Sequence, residues 1–363
     1  MELGGWERAH GYAANEHLLE KYGNRVPVRE NEWDNRHFWR VSNAEHLAMS
    51  EDCGVVNLSH FHMVDIEGPD HVAFLEWLCV ARIGGDANIG KGIYTHFLDD
   101  EGMVRADFTV FRMADRCRLV NGADAGPRDY HYMKRVAEDR GFDVTITDVS
   151  EKFITIGIWG PNARVTLKKV VADPAGLDPE NFPFAAIRQI DIAGRPVTAF
   201  RISYVGEQGW ELHMRYEDGL AVWDALRSTG VMAFGVETYA NSRRMEKSLR
   251  LQNADLLTQY NLFEADLARP KVKEADFRGK TRHVEYKARP HQPAMLCTLV
   301  MTENTDSRGV KRYPVGSMPV IDPDSGNVLV DELGRRSYTT SVAYGPTIGK
   351  NIALAYLPWA YCQ

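Results

Sequence analysis

The chain has 363 residues, of which 44% are apolar and 26% charged, and its formal net charge is −7. A chain of this length can bury a substantial core and form about two or three domains. The acidic balance argues against broad affinity for nucleic acid or anionic membranes, because both partners need basic patches. No apolar run approaches the roughly 20 residues that a membrane-spanning helix needs.

The N-terminal sequence and the cysteines together predict a cytoplasmic protein. Residues 1–6 have neither a basic start nor the apolar core of a signal peptide. The five cysteines have neither metal-ligand spacing nor an obvious pairing pattern, so we expect reduced thiols.

The coarse organisation predicts three parts. Residues 1–40 are polar and rich in aromatic side chains such as Trp33 and Phe38, and we expect them to wrap across the surface of the main domain. From 41 to 285 strands and helices alternate, and the basic, proline-bearing stretch that follows marks a boundary. Short strands separated by turns from residue 294 to 363 predict a small β-barrel.

Two helices have clear end signals. One is predicted from Gly126 to Arg140, with Pro127 in its first turn and Gly141 as its stop. A second follows Asp218 as its cap and ends before Gly230.

A predicted strand at 104–110 carries one residue that strands disfavour. Its alternation places four apolar side chains on one face and Arg105, Asp107 and Thr109 on the other. Aspartate packs poorly in mid-strand, so Asp107 indicates either an exposed face or a functional role. The structural alternative is a surface pair with Arg105 worth about 0–1 kcal/mol.

The stretch Tyr204–Met214 predicts a strand, a tight glycine loop and a second strand. Phe200, Ile202 and Tyr204 alternate before the loop. Gly206 and Gly209 permit positive φ and the close approach of a flat ligand. Glu207 in this loop can accept two parallel N–H bonds, or it is a solvated carboxylate on a hairpin.

Two other motifs do not predict a ligand site. Gly85–Lys91 is similar to a phosphate-binding loop, but Gly92 replaces the Ser or Thr that binds Mg²⁺, and a strand-like segment follows. His60 and His62 have no third ligand nearby to complete a metal site, so no metal is predicted.

The motif Tyr-x-Gly-Glu-x-Gly-x-Glu at 204–211, with an ordered set of further segments, resembles the folate-binding aminomethyltransferase superfamily typified by the glycine cleavage T-protein. The resemblance covers roughly residues 40 to 356. The segments at Gly4–Arg8 and Ser242–Lys247 are most similar to the folate domains of dimethylglycine and sarcosine dehydrogenases. The other segments are Asn57–His60, Ile66–Pro69, Tyr94–Asp107, Leu119–Asn121, Ile158–Pro161, Phe263–Leu267, Asp276–Lys280 and Tyr344–Ala353.

The resemblance implies an α+β, three-lobed, T-protein-like fold. Residues 41–285 would form a folate-binding α/β main domain of two lobes, and residues 294–363 the C-terminal β-barrel. Family barrels usually continue with two more strands, so we expect either a truncated chain or an open barrel whose edge needs cover.

The resemblance also implies site residues. Asp107 falls on the catalytic aspartate, and Ala106 replaces the second carboxylate that the family often has. Glu207 would hold the pterin edge, and Tyr204 and Trp210 of the same motif are further candidates for cofactor contacts.

Four other candidates have equal structural alternatives. Tyr94 would lie near the pterin or be a buried strand tyrosine. Arg244 would hold the folate tail or form an ion pair with Glu246. His60 and Asn121 would line the substrate pocket or be satisfied core groups.

The implied function is transfer of a methyl or methylene group from a small methylated donor to tetrahydrofolate. The N-terminal part lacks the Gly-x-Gly-x-x-Gly of a dinucleotide fold, so two routes stay open. The chain would act alone on an activated methyl donor, or would capture the iminium formed by a separate flavin N-methyl-amine dehydrogenase. A glycine-cleavage aminomethyltransferase is a third hypothesis. It ranks below the other two because Gln208 and Ala240 depart from the pattern of that enzyme. A non-enzymatic folate-binding protein is the least favoured, because the stretch from Lys247 lacks the cysteine motif of that branch.

Overall fold

The computed structural model describes residues 2–3, 5–28 and 39–362. Its contacts divide the chain into two compact units. The first unit comprises Met1–Leu75, Ile83–Thr95 and Phe108–Arg243, and the second comprises Glu76–Arg82, His96–Asp107 and Arg244–Gln363. The predicted domain bounds at 40, 285 and 294 stay a prediction, and Trp33 and Phe38 lie outside the described residues.

Strands and helices are interspersed along both units. The strands are β1 Glu2–Leu3, β2 Trp6–Glu7, β3 Gly54–Asn57, β4 His62–Glu67, β5 Lys91–Leu98, β6 Val104–Arg112, β7 Cys117–Asn121, β8 Thr145–Asp148, β9 Phe153–Trp159, β10 Ile187–Ile192, β11 Arg195–Phe200, β12 Gly209–Arg215, β13 Met232–Ala233, β14 Ala294–Val300, β15 Thr339–Gly345 and β16 Lys350–Pro358. The α-helices are α1 Leu18–Tyr22, α2 Trp39–Glu51, α3 His71–Leu78, α4 Gly126–Arg140, α5 Ala163–Lys168, α6 Gly219–Ser228, α7 Arg244–Glu246 and α8 Lys280–Lys287. A π-helix spans Thr238–Arg243.

A six-stranded sheet in the first unit has the order β10-β11-β12-β9-β3-β13. Its pairs are antiparallel except that β13 runs parallel to β3. Strand β12 is buried along its length up to Arg215, as expected of an apolar strand inside a sheet. The α6 side chains Val222 and Leu226 pack with Trp210 and Leu212 of β12 in one apolar cluster.

A five-stranded sheet has the order β5-β6-β7-β4-β8. The predicted alternation of β6 is confirmed: Val104, Ala106, Phe108 and Val110 are buried, whereas Arg105, Asp107 and Thr109 are partly exposed. Helix α4 also has its predicted bounds, and Gly141 ends it at a φ of 69°.

The strand predicted from Phe200 to Tyr204 is wrong in its extent. Strand β11 ends at Phe200, and the chain then leaves the sheet until Gly209. After Phe200, the Ile202 carbonyl is bound by a side chain instead of by a neighbouring strand. The Trp159 indole N–H donates to it at 2.7 Å. The alternation of residues 200–204 therefore describes a partly buried loop rather than a strand.

Part of the N-terminal segment is held by one buried carboxylate. Glu45 of α2 is 0% exposed. It accepts hydrogen bonds from the Tyr12 N–H at 2.8 Å, the Asn15 amide at 2.7 Å and the Gly235 N–H at 2.9 Å. Burial raises the pKa of Glu45, and these three donors oppose that shift.

The second unit contains an antiparallel three-stranded sheet in the order β14-β16-β15. Elsewhere in the region 294–363, where short strands are predicted, residues 318–330 form only isolated bridges, such as Ile321 with Val328. Tyr356 of β16 stacks on Tyr260 with ring centroids 3.5 Å apart, inside an apolar cluster of this unit. Among the described helices, none combines the length and the apolar character needed to cross a membrane.

Candidate functional site

The glycine loop between β11 and β12 holds Glu207 in a fixed position. Gly206 adopts a φ of 77°, and a Cβ on Gly209 would lie 1.9 Å from the Ile158 carbonyl oxygen. Both glycines are therefore required by the backbone, as their spacing predicted. The Glu207 side chain is 23% exposed, so the loop neither buries the carboxylate nor leaves it fully in water.

A buried arginine of the π-helix binds Glu207 from the protein side. Arg243 Nη2 donates to Glu207 Oε1 at 2.6 Å and to the Val205 carbonyl at 3.1 Å. Arg243 is only 2% exposed. A carboxylate has about four acceptor positions, so this bond orients Glu207 and leaves acceptor capacity for a ligand.

Helix α2 supports that arginine through a histidine. His46 Nε2 lies 3.4 Å from Arg243 Nη1, and His46 Nδ1 lies 2.8 Å from Ser242 Oγ. A guanidinium only donates, so Nε2 must accept and Nδ1 must carry the proton toward Ser242. His46 is 0% exposed, so its neutral ring holds the arginine without adding a second buried charge.

Aromatic rings lie beside the same loop. Trp159 stacks on Tyr239 with centroids 5.4 Å apart, and Tyr204 meets Tyr239 at the same distance with a 51° tilt. Burial, followed by the nearby Glu211 and Tyr204, raises the pKa of Tyr239 well above its ordinary value. The half-buried Tyr204 thus packs at a tilt against the buried, stacked pair of Tyr239 and Trp159.

Trp210 lies in the core rather than at the surface of the loop. It is 0% exposed and meets Phe182 edge-to-face at 5.9 Å. The Arg164 guanidinium lies 5.4 Å from its ring centroid. These contacts are those of a side chain that anchors β12.

In the second unit, Arg244 is committed to protein partners. Its guanidinium donates to Asp255 at 2.7 Å, to Ser341 Oγ at 2.8 Å and to the Leu249 carbonyl at 3.1 Å. Asp255 is 0% exposed and Arg244 2%. The Glu246 carboxylate, the partner considered from sequence, accepts the Thr347 N–H at 2.8 Å.

Asp107 and Tyr94 both lie on strands with an accessible face. Asp107 is partly exposed on the polar face of β6, next to Arg105 and Thr109 in the alternation. Tyr94 of β5 is 36% exposed, so it is not the buried strand tyrosine of the structural alternative.

His60 lines a cavity in the first unit. The cavity measures about 190 Å³ and is lined by Trp6, Glu7, Arg8, Ala9, Tyr12, Val56, Asn57, Ser59, His60, Phe234 and Val236. Burial and the charge of Arg8 lower the pKa of His60 to about 4. The imidazole is therefore neutral near pH 7 and can both donate and accept a hydrogen bond.

Asn121 is 8% exposed and stands opposite His62 in the β4–β7 register. Its amide nitrogen donates to Asp129 at 3.4 Å, whereas its buried oxygen has no hydrogen-bond partner in the described part of the chain. His62 binds Asp148 at 3.1 Å through Nε2. No group of His, Cys, Asp and Glu side chains suited to a metal ion occurs among the described residues.

Sequence reasoning missed Arg243, His46 and Tyr239. In the Ser-Arg-Arg segment the sequence pointed to Arg244, and its neighbour Arg243, which binds Glu207, was not considered. His46 gave no signal, because its contact with Arg243 joins residues 197 positions apart.

The fold of the chain is shared with a solved structure. The described structure is similar to the crystal structure of glycine cleavage system aminomethyltransferase T from Bartonella henselae, with a TM-score of 0.73 and 22% identity over 95% of this chain and 90% of that one. This likeness confirms the predicted T-protein-like fold.

The chain belongs to the family of the GCVT N-terminal domain, whose model matches residues 1–272. It is 30% identical over 362 residues to mitochondrial dimethylglycine dehydrogenase of Rattus norvegicus, covering 98% of this chain but 39% of that protein. It is also 30% identical over 350 residues to the aminomethyltransferase of Listeria innocua, covering 95% of this chain and 89% of that one. The chain thus spans about two fifths of the dehydrogenase. The predicted family is therefore confirmed.

Proposed function

We propose that the protein transfers a methyl or methylene group from a small methylated amine to tetrahydrofolate. The observation that carries this proposal is the loop carboxylate Glu207, which is oriented by buried Arg243 and partly open to solvent beside Tyr204. A carboxylate oriented in this way accepts the paired N–H groups of a pterin edge. The family membership supports tetrahydrofolate as the substrate that receives the carbon.

Asp107 is proposed as the catalytic group. Attack by a folate nitrogen on an activated one-carbon group builds positive charge in the transition state. A fixed anion in a site that excludes water stabilises that charge more than water does. The same carboxylate takes up a folate proton and passes it to the leaving amine.

The remaining candidates divide by their contacts. We propose Tyr94 and Tyr204 as contacts of the folate, and His60 and Asn121 as contacts of the donor. The Arg244 guanidinium binds Asp255, and the Trp210 ring packs against Phe182. We therefore propose that Arg244 and Trp210 support the site from within the fold and do not contact the folate.

The donor is proposed to arrive as an iminium from a separate flavin oxidoreductase. The relatedness to dimethylglycine dehydrogenase, of which the chain spans 39%, favours this route. Atoms and charge balance in this step without a further reactant. The iminium carbon becomes the methylene of the folate, and both displaced folate protons leave on the amine as an ammonium. Direct transfer from an activated methyl donor is the second candidate. A cytoplasmic location is proposed from the free cysteines of the described residues.

A donor screen with mass detection of the folate product tests the function. The full chain, tetrahydrofolate and each methylated donor are incubated with and without a flavin N-methyl-amine dehydrogenase. We expect 5,10-methylene-tetrahydrofolate only when the dehydrogenase is present. A 5-methyl product from the chain alone would establish direct transfer, and no folate product in either arm would contradict the proposal.

A further inference from the structure

Two thiols of the second unit lie unusually close together. Cys297 on β14 and Cys362, after the turn Trp359–Tyr361, have their sulfur atoms 3.6 Å apart. Both are partly exposed, whereas Cys53, Cys79 and Cys117 are 5%, 0% and 0% exposed. The pair is therefore the one place among the described cysteines where two sulfurs lie close together within reach of solvent.

Contacts other than the sulfurs hold the two elements in place. The Trp359 N–H donates to the Pro293 carbonyl at 3.2 Å, just before β14 begins. The Trp359 ring stacks on His291 at 5.7 Å, and the Tyr361 hydroxyl donates to Asp322 at 3.3 Å. Cys297 and Cys362 also pack on the same apolar cluster, around Leu329 and Leu357. The thiols thus meet in the folded protein without a covalent link.

We propose that Cys297 and Cys362 form a modification site, at which a peroxide oxidant joins them in a reversible intramolecular disulfide. One thiolate attacks hydrogen peroxide, giving a sulfenic acid and hydroxide. The second thiol then displaces water from that sulfur, so two thiols are oxidised and one peroxide is reduced to two waters. The sulfurs must approach by about 1.5 Å to reach the usual bond length.

The surroundings set the speed of this oxidation. Burial, and then the neighbouring Cys362, raise the pKa of Cys297 to about 12. The thiolate is the reacting form, so a high pKa keeps it scarce at pH 7. We expect slow oxidation at pH 7 that accelerates toward pH 9. The bond would link the turn covalently to β14, which is one of the two outer strands of its sheet.

The test uses the full chain, reduced with dithiothreitol, desalted and treated with excess hydrogen peroxide. We expect the intact mass to fall by about 2 units as two hydrogens leave. Peptide mapping should find one link, Cys297 to Cys362, that dithiothreitol reverses. The thermal midpoint should rise by several degrees, because the link restricts the unfolded chain. Cys297→Ser and Cys362→Ser are matched controls, and neither should lose 2 mass units or gain stability under oxidation.

Four results would overturn the proposal: five thiols still free after treatment, a link to a buried cysteine, a disulfide between two chains, or a bond that leaves the thermal midpoint unchanged. The peptide map of the unaltered chain decides the first three without any variant. None of these readouts depends on folate or on turnover, so the proposed function and this site can fail separately.

Discussion

Two adjacent arginines, Arg243 and Arg244, have opposite environments. Arg243 belongs to the first unit and binds Glu207, a carboxylate that is 23% exposed. Arg244 belongs to the second unit and binds Asp255, which is 0% exposed. A fully buried ion pair has no acceptor positions to offer a ligand, whereas a partly exposed one does. Charge alone therefore does not identify a binding residue, and the exposure of its partner is the better criterion.

The largest expected effect distinguishes the two arginines by stability. Arg244→Met should lower the free energy of unfolding by about 3–5 kcal/mol, because it leaves Asp255 buried and unpaired. Arg243→Met should cost less, about 1–2 kcal/mol, since water can reach Glu207. Chemical denaturation of both variants measures the difference.

The double variant Arg244→Met/Asp255→Asn is the matched control for this comparison. It removes the stranded charge and should recover part of the loss. Equal losses in the two single variants would show that the exposure of the partner does not separate them.

The second expected effect is on catalysis. Asp107→Asn keeps shape and hydrogen-bonding reach but removes the anion that we propose faces the developing cation, an effect typically worth about 2.7–4 kcal/mol. Turnover should fall by roughly a hundredfold or more, with the loss in kcat rather than KM. Single-turnover formation of the folate product, with the best donor from the screen, gives the rate.

Folate affinity should stay within a few-fold in Asp107→Asn, which separates catalysis from binding. Retention of more than half of the turnover would assign Asp107 a structural role on β6 and exclude the proposed mechanism.

Much of the fold follows from short-range signals. The alternation of β6 and the Pro127 and Gly141 signals of α4 depend on local sterics and on burial of one face, so they are readable without tertiary contacts. The sequence could not show that the strand ends at Phe200. Beyond that residue a hydrogen bond from the Trp159 side chain replaces the backbone hydrogen bonds between strands.

The local geometry of the candidate site was predictable in part. Glu207 with Gly206 and Gly209 is a local constellation, and the structure places these residues as their spacing implies. The choice of Arg243 depends on a π-helix, which shifts the direction of each side chain relative to an α-helix. No local pattern signals that shift or the support from His46.

The third expected effect concerns binding at the loop. Glu207→Ala should weaken tetrahydrofolate binding by about 1.5–3 kcal/mol, or roughly ten- to a hundredfold, because a charge-assisted pair of bonds is lost. Calorimetric titration of the wild type and the variant measures this change.

Glu207→Gln is the control for that titration, because it keeps the shape and one acceptor oxygen and should bind with intermediate affinity. Equal affinity in the wild type and Glu207→Ala would remove Glu207 from the site, and the contrast between the two arginines would then lose its functional meaning.

The smallest expected effect compares histidines of the two units. The pKa of His60 in the first unit and that of His283 in the second are both lowered to about 4, mainly by burial. As pH falls below 6.5 the unfolded chain takes up protons before the folded one, so the stabilisation present above pH 6.5 is lost toward pH 4. Each residue should contribute on the order of 1 kcal/mol to the decline between pH 7 and pH 5.5. Denaturation of His60→Gln and His283→Gln across this range should give shallower pH curves than the wild type. If His60→Gln keeps the full wild-type slope, the cavity beside Arg8 is open enough to hydrate an imidazolium, and His60 is then available to bind a donor in either charge state.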